Sequence, residues 1–151
     1  MLEQKLEQDL KTALLARDEL RVTTLRGIKS SLLNLKISAG KRESGLSDDE
    51  VLQILSKEAK KRQESADMYV QGADQARADK ELTEKAIIDA YLPAQLSESE
   101  ISNLIDEILT ASGATPDKSA MGPTIAAVKA KVGGSADGGL IARLVKEKLG
   151  L

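Results

Sequence analysis

Five basic side chains, Lys129, Lys131, Arg143, Lys146 and Lys148, surround the glycine-rich stretch GGSADGGL that runs from Gly133 to Leu140. A glycine-rich loop that opens a helix can cradle an anion with its backbone N–H groups, and flanking ammonium and guanidinium groups pair with the same charge. The spacing is not that of a nucleotide loop. Gly134 and Gly139 have the GxxxxG interval of a P-loop, but Leu140 stands where the phosphate-binding lysine belongs, and no GxGxxG pattern follows a strand. Two readings stay open. In one, the loop is a helix-to-helix turn in which Gly133 and Gly134 end one helix at positive φ and Asp137 caps the next. In the other, the amides after Asp137, with Gly138 and Gly139 allowing close backbone approach, bind an anion, although the charge of Asp137 opposes it.

Other chemistry is limited by inventory. The 151 residues include no Cys, His, Trp or Phe, which removes disulfides, thiolate or imidazole metal sites, and Cys or His catalysis. Ser38 to Lys41 reads SAGK and matches SxxK, yet the companion SDN and KTG segments are missing and Gly40 has a helix-ending role. Asp48, Asp49 and Glu50 fall in a helix first turn, where negative charge is favourable without a metal. The expectation is therefore no catalytic residue, no metal and no cofactor. The basic cluster suits contacts to a nucleic-acid backbone, with affinity that fades as salt rises. Tyr69 and Tyr91 are the only aromatic residues, so stacking on single strands is not expected and folded or double-stranded RNA fits better. The plain alternative is a solvated, lysine-rich surface. Net charge is −2, and two basic stretches stand out: seven Lys and Arg between Arg17 and Arg42, and six from Gly113 to the end. No apolar run is long enough for a membrane span and MLEQKLEQDL does not read as a signal peptide, so a cytoplasmic protein with no membrane partner is expected.

The elements that position these residues are helical throughout. Leu2, Leu6, Leu10 and Leu14 form a stripe with a four-residue step, and Leu25, Ile28, Leu32, Leu35 and Ala39 a second one, closed by Gly40. LSDDEV and LSESEI are capping boxes with hydrophobic staples, starting helices at Ser47 and Ser97. The helix after Ser47 turns Leu52, Leu55, Ala59 and Ala66 inward and KEAKKRQES, with its Glu58 and Arg62 pair, to water. Gly72 interrupts it, and a helix from about Asp74 follows Ala78, Leu82, Ala86 and Tyr91 until Pro93. Beyond YLPAQLS lie a helix through Ile101, Leu104, Ile105 and Ile108, a loop SGATPDKSAMG, a helix PTIAAVKAKV and a last helix from Gly138. No segment alternates as a strand does. The fold class is all-α: an N-terminal helical domain over 1–94 and a small three-helix C-terminal domain over 95–151.

These blocks together resemble the GatB/YqeY family: LRGIKSSLLNLKI, LSDDEVLQILSKEAKKRQES, YLPAQLSESEI, MG with PTIAAVKAK, and GSADGGLIARLVKEKL, in that order along nearly the whole chain. The resemblance implies an all-helical protein similar to the tail region of the B subunit of the glutamine-dependent aspartyl/glutamyl-tRNA amidotransferase. There the tail engages tRNA, and free-standing members carry it without the catalytic body. By position it implies Lys129, Lys131, Gly134, Ala136, Asp137 and Gly138 as tRNA-facing residues, beside Arg143 and Lys146 from the basic cluster. Ala120 and Pro123 depart from the family pattern, which has an acid and a lysine there. The expected function is a non-catalytic tRNA-binding accessory protein, with tRNA and a tRNA amidotransferase or aminoacyl-tRNA enzyme as partners. The alternatives are a protein-interaction adaptor for a tRNA enzyme, or a component of a carbon-nitrogen ligase with glutamine as amido-N-donor.

Overall fold

Seven α-helices and no strand make up the computed structural model, which describes residues 1–151. They are α1 (Leu2–Leu15), α2 (Glu19–Ser38), α3 (Asp48–Gln71), α4 (Gln75–Asp89), α5 (Glu98–Ser112), α6 (Met121–Val132) and α7 (Gly138–Lys148). The all-α expectation is met. The chain divides into two compact units, Met1–Leu92 and Pro93–Leu151, and each closes its own apolar core.

In the first unit, Leu6 of α1, Leu25, Ile28 and Leu32 of α2, Val51, Leu55 and Ala59 of α3 and Ile88 of α4 form that core. Local chemistry sets the helix ends. Asp18 caps α2 by accepting from the Arg21 N–H, and Gly40, at φ +66°, turns the chain after it. Ser47 and Glu50 complete the capping box of α3, and Leu46 packs on the core beside Val51 as a staple does. α3 and α4 form a helical hairpin in which buried Ala66 and Ala78 leave no bulk to separate the backbones.

Two expectations about faces are corrected here. Leu82 and Ala86 are exposed; the inward side of α4 carries Ala78 and Ile88, with Glu84 and Lys85 half-buried between them. The i,i+4 pair of Glu58 and Arg62 does not face water either. Glu58 is only 8% exposed: it accepts from Ser31 of α2 at 3.1 Å, from Lys61 at 3.1 Å and from Arg62 at 2.6 Å, while Arg62 Nε lies 3.7 Å from Glu84 of α4. Ser31 of α2 and Glu84 of α4 face this pair from two further helices, and Glu84 takes a place on the inward side of α4 beside Ala78 and Ile88, although Arg62 Nε itself is buried without a hydrogen-bond partner. Burial pushes the Glu58 carboxyl up, but the hydrogen bonds from Arg62, Lys61 and Ser31 outweigh it and its pKa is lowered. At the end of the unit, the Tyr91 hydroxyl donates to Asp9 of α1, and Lys5 lies 5.5 Å above the ring. Burial and the Asp9 carboxylate push the Tyr91 phenol up to about 12.

The second unit is α5, α6 and α7 around Ile101, Ile105, Val128, Val132, Ile141, Leu144 and Val145. Ser97 and Glu100 cap α5 as the repeated box predicts, and Gly113, at φ +60°, ends it. The SGATPDKSAMG segment is shorter as a loop than its composition suggests. Asp117 accepts from Ser119, a 3-10 turn forms over Lys118–Ala120, and Met121 and Gly122 already belong to α6. Ala120 is buried against the core, so the small residue here fills an apolar place where an acid would need a partner.

Candidate functional site

One end of the second unit gathers the loop that the sequence singles out. Gly133, at φ +54°, ends α6, a 3-10 turn covers Gly133–Ser135, and Asp137 caps α7 by accepting from the Leu140 N–H at 3.0 Å. The segment leading into α5 braces this turn. Gln95 Nε2 donates to the Gly134 carbonyl at 3.0 Å and the Leu96 N–H donates to the Ser135 carbonyl at 2.8 Å. The N-termini of α5 and α7 therefore lie at the same end as the C-terminus of α6. Two ion pairs agree with this: Arg143 meets Glu98 and, further along both helices, Lys148 meets Asp106. α5 and α7 run side by side in the same sense.

The turn reading is thus met in its capping residue and in Gly133, while Gly134 takes part in the 3-10 turn without a positive φ. The amide end of α7 remains open to side chains from α6. A Cβ added to Gly138 would stand 3.2 Å from Lys129 Cε and 3.3 Å from Lys129 Nζ, so the lysine lies across the bare backbone of the first turn. The close approach, and not a left-handed backbone, distinguishes this glycine: a side chain here would push the lysine end aside by a few tenths of an ångström. Lys129, Gly134, Ala136, Asp137 and Gly138 are accordingly brought together.

The other expected residues are spread. Lys131 follows Lys129 by two positions on α6, and a 100° step per residue sets the two about 200° apart around the helix. With Thr124, Val128 and Val132 buried between them, they leave the core on opposite flanks. Lys146 is exposed on α7, about 12 Å along the axis from Gly138. Arg143 is engaged: Nη2 donates to Glu98 at 2.6 Å and Nη1 to Glu147 at 2.9 Å. The hydrogen bond to Glu147 and the charge of Glu98 raise its pKa. Lys148 donates to Asp106 at 2.6 Å. Lys129, Lys131 and Lys146 are exposed and make no ion pair.

Sequence reasoning missed Gln95 and Leu96, which hold the loop, and Glu98, which holds Arg143. A signal existed for the last. α5 carries Glu98, Glu100, Asp106 and Glu107 and no basic residue, the complement of Arg143, Lys146 and Lys148 on α7. The SxxK match comes apart in three dimensions: the Ser38 hydroxyl donates to the Leu35 carbonyl, and Lys41 pairs with Glu50. Asp48, Asp49 and Glu50 fall in the first turn of α3, and no group of three or more acidic side chains is placed to hold a metal ion. No helix is long and apolar enough to cross a membrane.

The geometry is that of a helical chain in two units with a capped, lysine-flanked glycine turn near its C-terminus, and the pattern of the Yqey-like protein family matches residues 3–149; the chain belongs to that family. Among curated relatives it is similar to the "Altered inheritance of mitochondria protein 41, mitochondrial" of Kluyveromyces lactis, 32% identical over 107 residues, 70% of this chain and 57% of that protein. The protein of the same name in Lachancea thermotolerans is 33% identical over 108 residues, 70% of this chain and 56% of the relative. That of Eremothecium gossypii is 34% identical over 89 residues, 59% of this chain and 48% of the relative. The chain spans about half the length of the curated relatives it matches.

Proposed function

We propose that this protein binds tRNA without catalysing a reaction on it, docking its second unit on the RNA backbone as an accessory to a tRNA-dependent amidotransferase or another aminoacyl-tRNA enzyme. One observation carries the reading: Lys129 lies over Gly138 at the start of α7, setting an ammonium group beside the positive end of the helix dipole and the Asp137 cap. Lys131 and Lys146, exposed and without ion pairs, widen the reach to phosphates on either side. Backbone docking of this kind needs shape and charge, not base-reading aromatics, which suits folded RNA.

The test is a salt titration against bulk tRNA. Saturable binding is expected at ~150 mM salt, with log affinity falling linearly in log salt; Lys129→Ala with Lys131→Ala is expected to flatten that slope by up to ~1.8, about 0.9 for each phosphate no longer neutralised. Absence of saturable binding, or an unchanged slope in the double variant, contradicts the proposal. The adaptor reading has its own support in the first unit. Leu6, Leu10, Leu25, Leu32 and Leu33 line a cleft of about 100 Å³ between α1 and α2, and Leu14, Leu33 and Ile37 are exposed on these two helices. Association with a tRNA enzyme that survives RNase and is abolished by Leu33→Glu would favour that reading over direct RNA binding.

A further inference from the structure

The basic residues of α7 are not equally available. Arg143 is held by Glu98 and Glu147, and Lys148 by Asp106, whereas Lys146 between them has no such partner. Both α5 partners come from a helix with four acids and no base, lying alongside α7 in the same direction. All five side chains are at least one-third exposed, so their ion pairs are weak, screened by salt and open to exchange with another anion. A carboxylate accepting from a guanidinium occupies the position that a phosphate oxygen would take.

We propose that α5 is a built-in competitor of the RNA backbone: Glu98 and Asp106 occupy Arg143 and Lys148 and repel incoming phosphates, restricting tight binding to polyanions dense enough in charge to displace them. This rests on the RNA-binding reading above and adds the regulation of that surface. Removal of the carboxylates frees Lys148, leaves Arg143 held by Glu147 alone and deletes two like charges facing the ligand. A sparse polyanion gains little from wild-type Arg143, since Glu98 already neutralises it; folded RNA, with phosphates on two facing strands, can displace the carboxylate.

The experiment compares tRNA binding by the full chain and by Glu98→Gln with Asp106→Asn across a salt series. The double variant is expected to bind ~5–20-fold more tightly at low salt, with a slope steeper by ~0.9 for Lys148 and by up to ~1.8 where a phosphate also displaces Glu147 from Arg143. Arg143→Ala should cost little in the wild-type background and several-fold more beside Glu98→Gln, a non-additivity that a purely structural role for Glu98 would not produce. Glu107→Gln removes an acid of the same helix that makes no ion pair, and is expected to change the slope by less than half as much. Circular dichroism melts establish that each variant is folded, and Glu147→Gln, which also loosens Arg143, provides a second route. The competitor proposal is overturned if wild type binds tRNA but the double variant matches it in affinity and slope, or if Arg143→Ala costs the same in both backgrounds. Binding by the variant alone would support it. When neither protein binds tRNA at any salt, the RNA reading itself fails and takes this one with it.

Discussion

Glu58 is the residue whose setting most exceeds what its neighbours in sequence announce. Its spacing to Arg62 reads as an ordinary surface pair, because the i,i+4 interval is visible in the chain while Ser31 and Glu84 arrive from other helices. With those partners in place the folded carboxyl titrates below its usual 4.5. A depressed folded pKa contributes stability that is fully present above the unfolded value and is lost as pH falls through the folded one. Glu58→Gln is therefore expected to destabilise the first unit at neutral pH, by roughly 1–3 kcal/mol, the cost of leaving a partly buried donor short of its charged acceptor. The gap between wild type and variant should narrow as pH drops below about 4.5. Denaturant melts at pH 7 and pH 3 check both statements; a gap that widens in acid would contradict the assignment.

Helix starts are the best-read elements because their chemistry is local. The boxes at Ser47 and Ser97 each need four consecutive residues, and both form as written, with the serine accepting from the third residue on and the glutamate reaching back. Ser47→Ala and Ser97→Ala are expected to cost about 1 kcal/mol each, read from denaturant melts, with the first lowering hydrogen-exchange protection in α3 and the second in α5. Faces of helices are read less well. The α4 stripe through Leu82 and Ala86 is sound on periodicity alone, yet the helix turns Ala78 and Ile88 inward, with Glu84 on that side facing Arg62 of α3, a partner that the α4 segment does not announce. For the candidate site, Asp137 as a cap and Gly138 as a point of close approach were legible from residue type. Chain order alone has Lys129 and Lys131 approaching the loop from one side, a grouping that the two-residue step on α6 undoes, and the capture of Arg143 by Glu98 depends on α5 lying beside α7.

At the scale of the whole molecule, each core draws only on its own segment of chain: Leu6 to Ile88 in one, Ile101 to Leu149 in the other. Ile28→Ala and Ile105→Ala each delete most of a fully buried side chain and are expected to cost ~2–5 kcal/mol. Native-state hydrogen exchange should show the first raising exchange rates within residues 1–92 and the second within 93–151; a loss of protection spread evenly over the chain would contradict separate cores. The link between Asp9 and Tyr91 has a further bearing on how the protein is made. Its two ends are 82 positions apart, so at roughly 5–20 residues added per second the ribosome delivers the tyrosine about 4–16 s after the aspartate. α2 and α3, which carry the Leu25, Ile28, Val51 and Leu55 that pack with Leu6, are complete before Tyr91 is made, so the hydrogen bond to Tyr91 fastens a helix whose leucines already have neighbours.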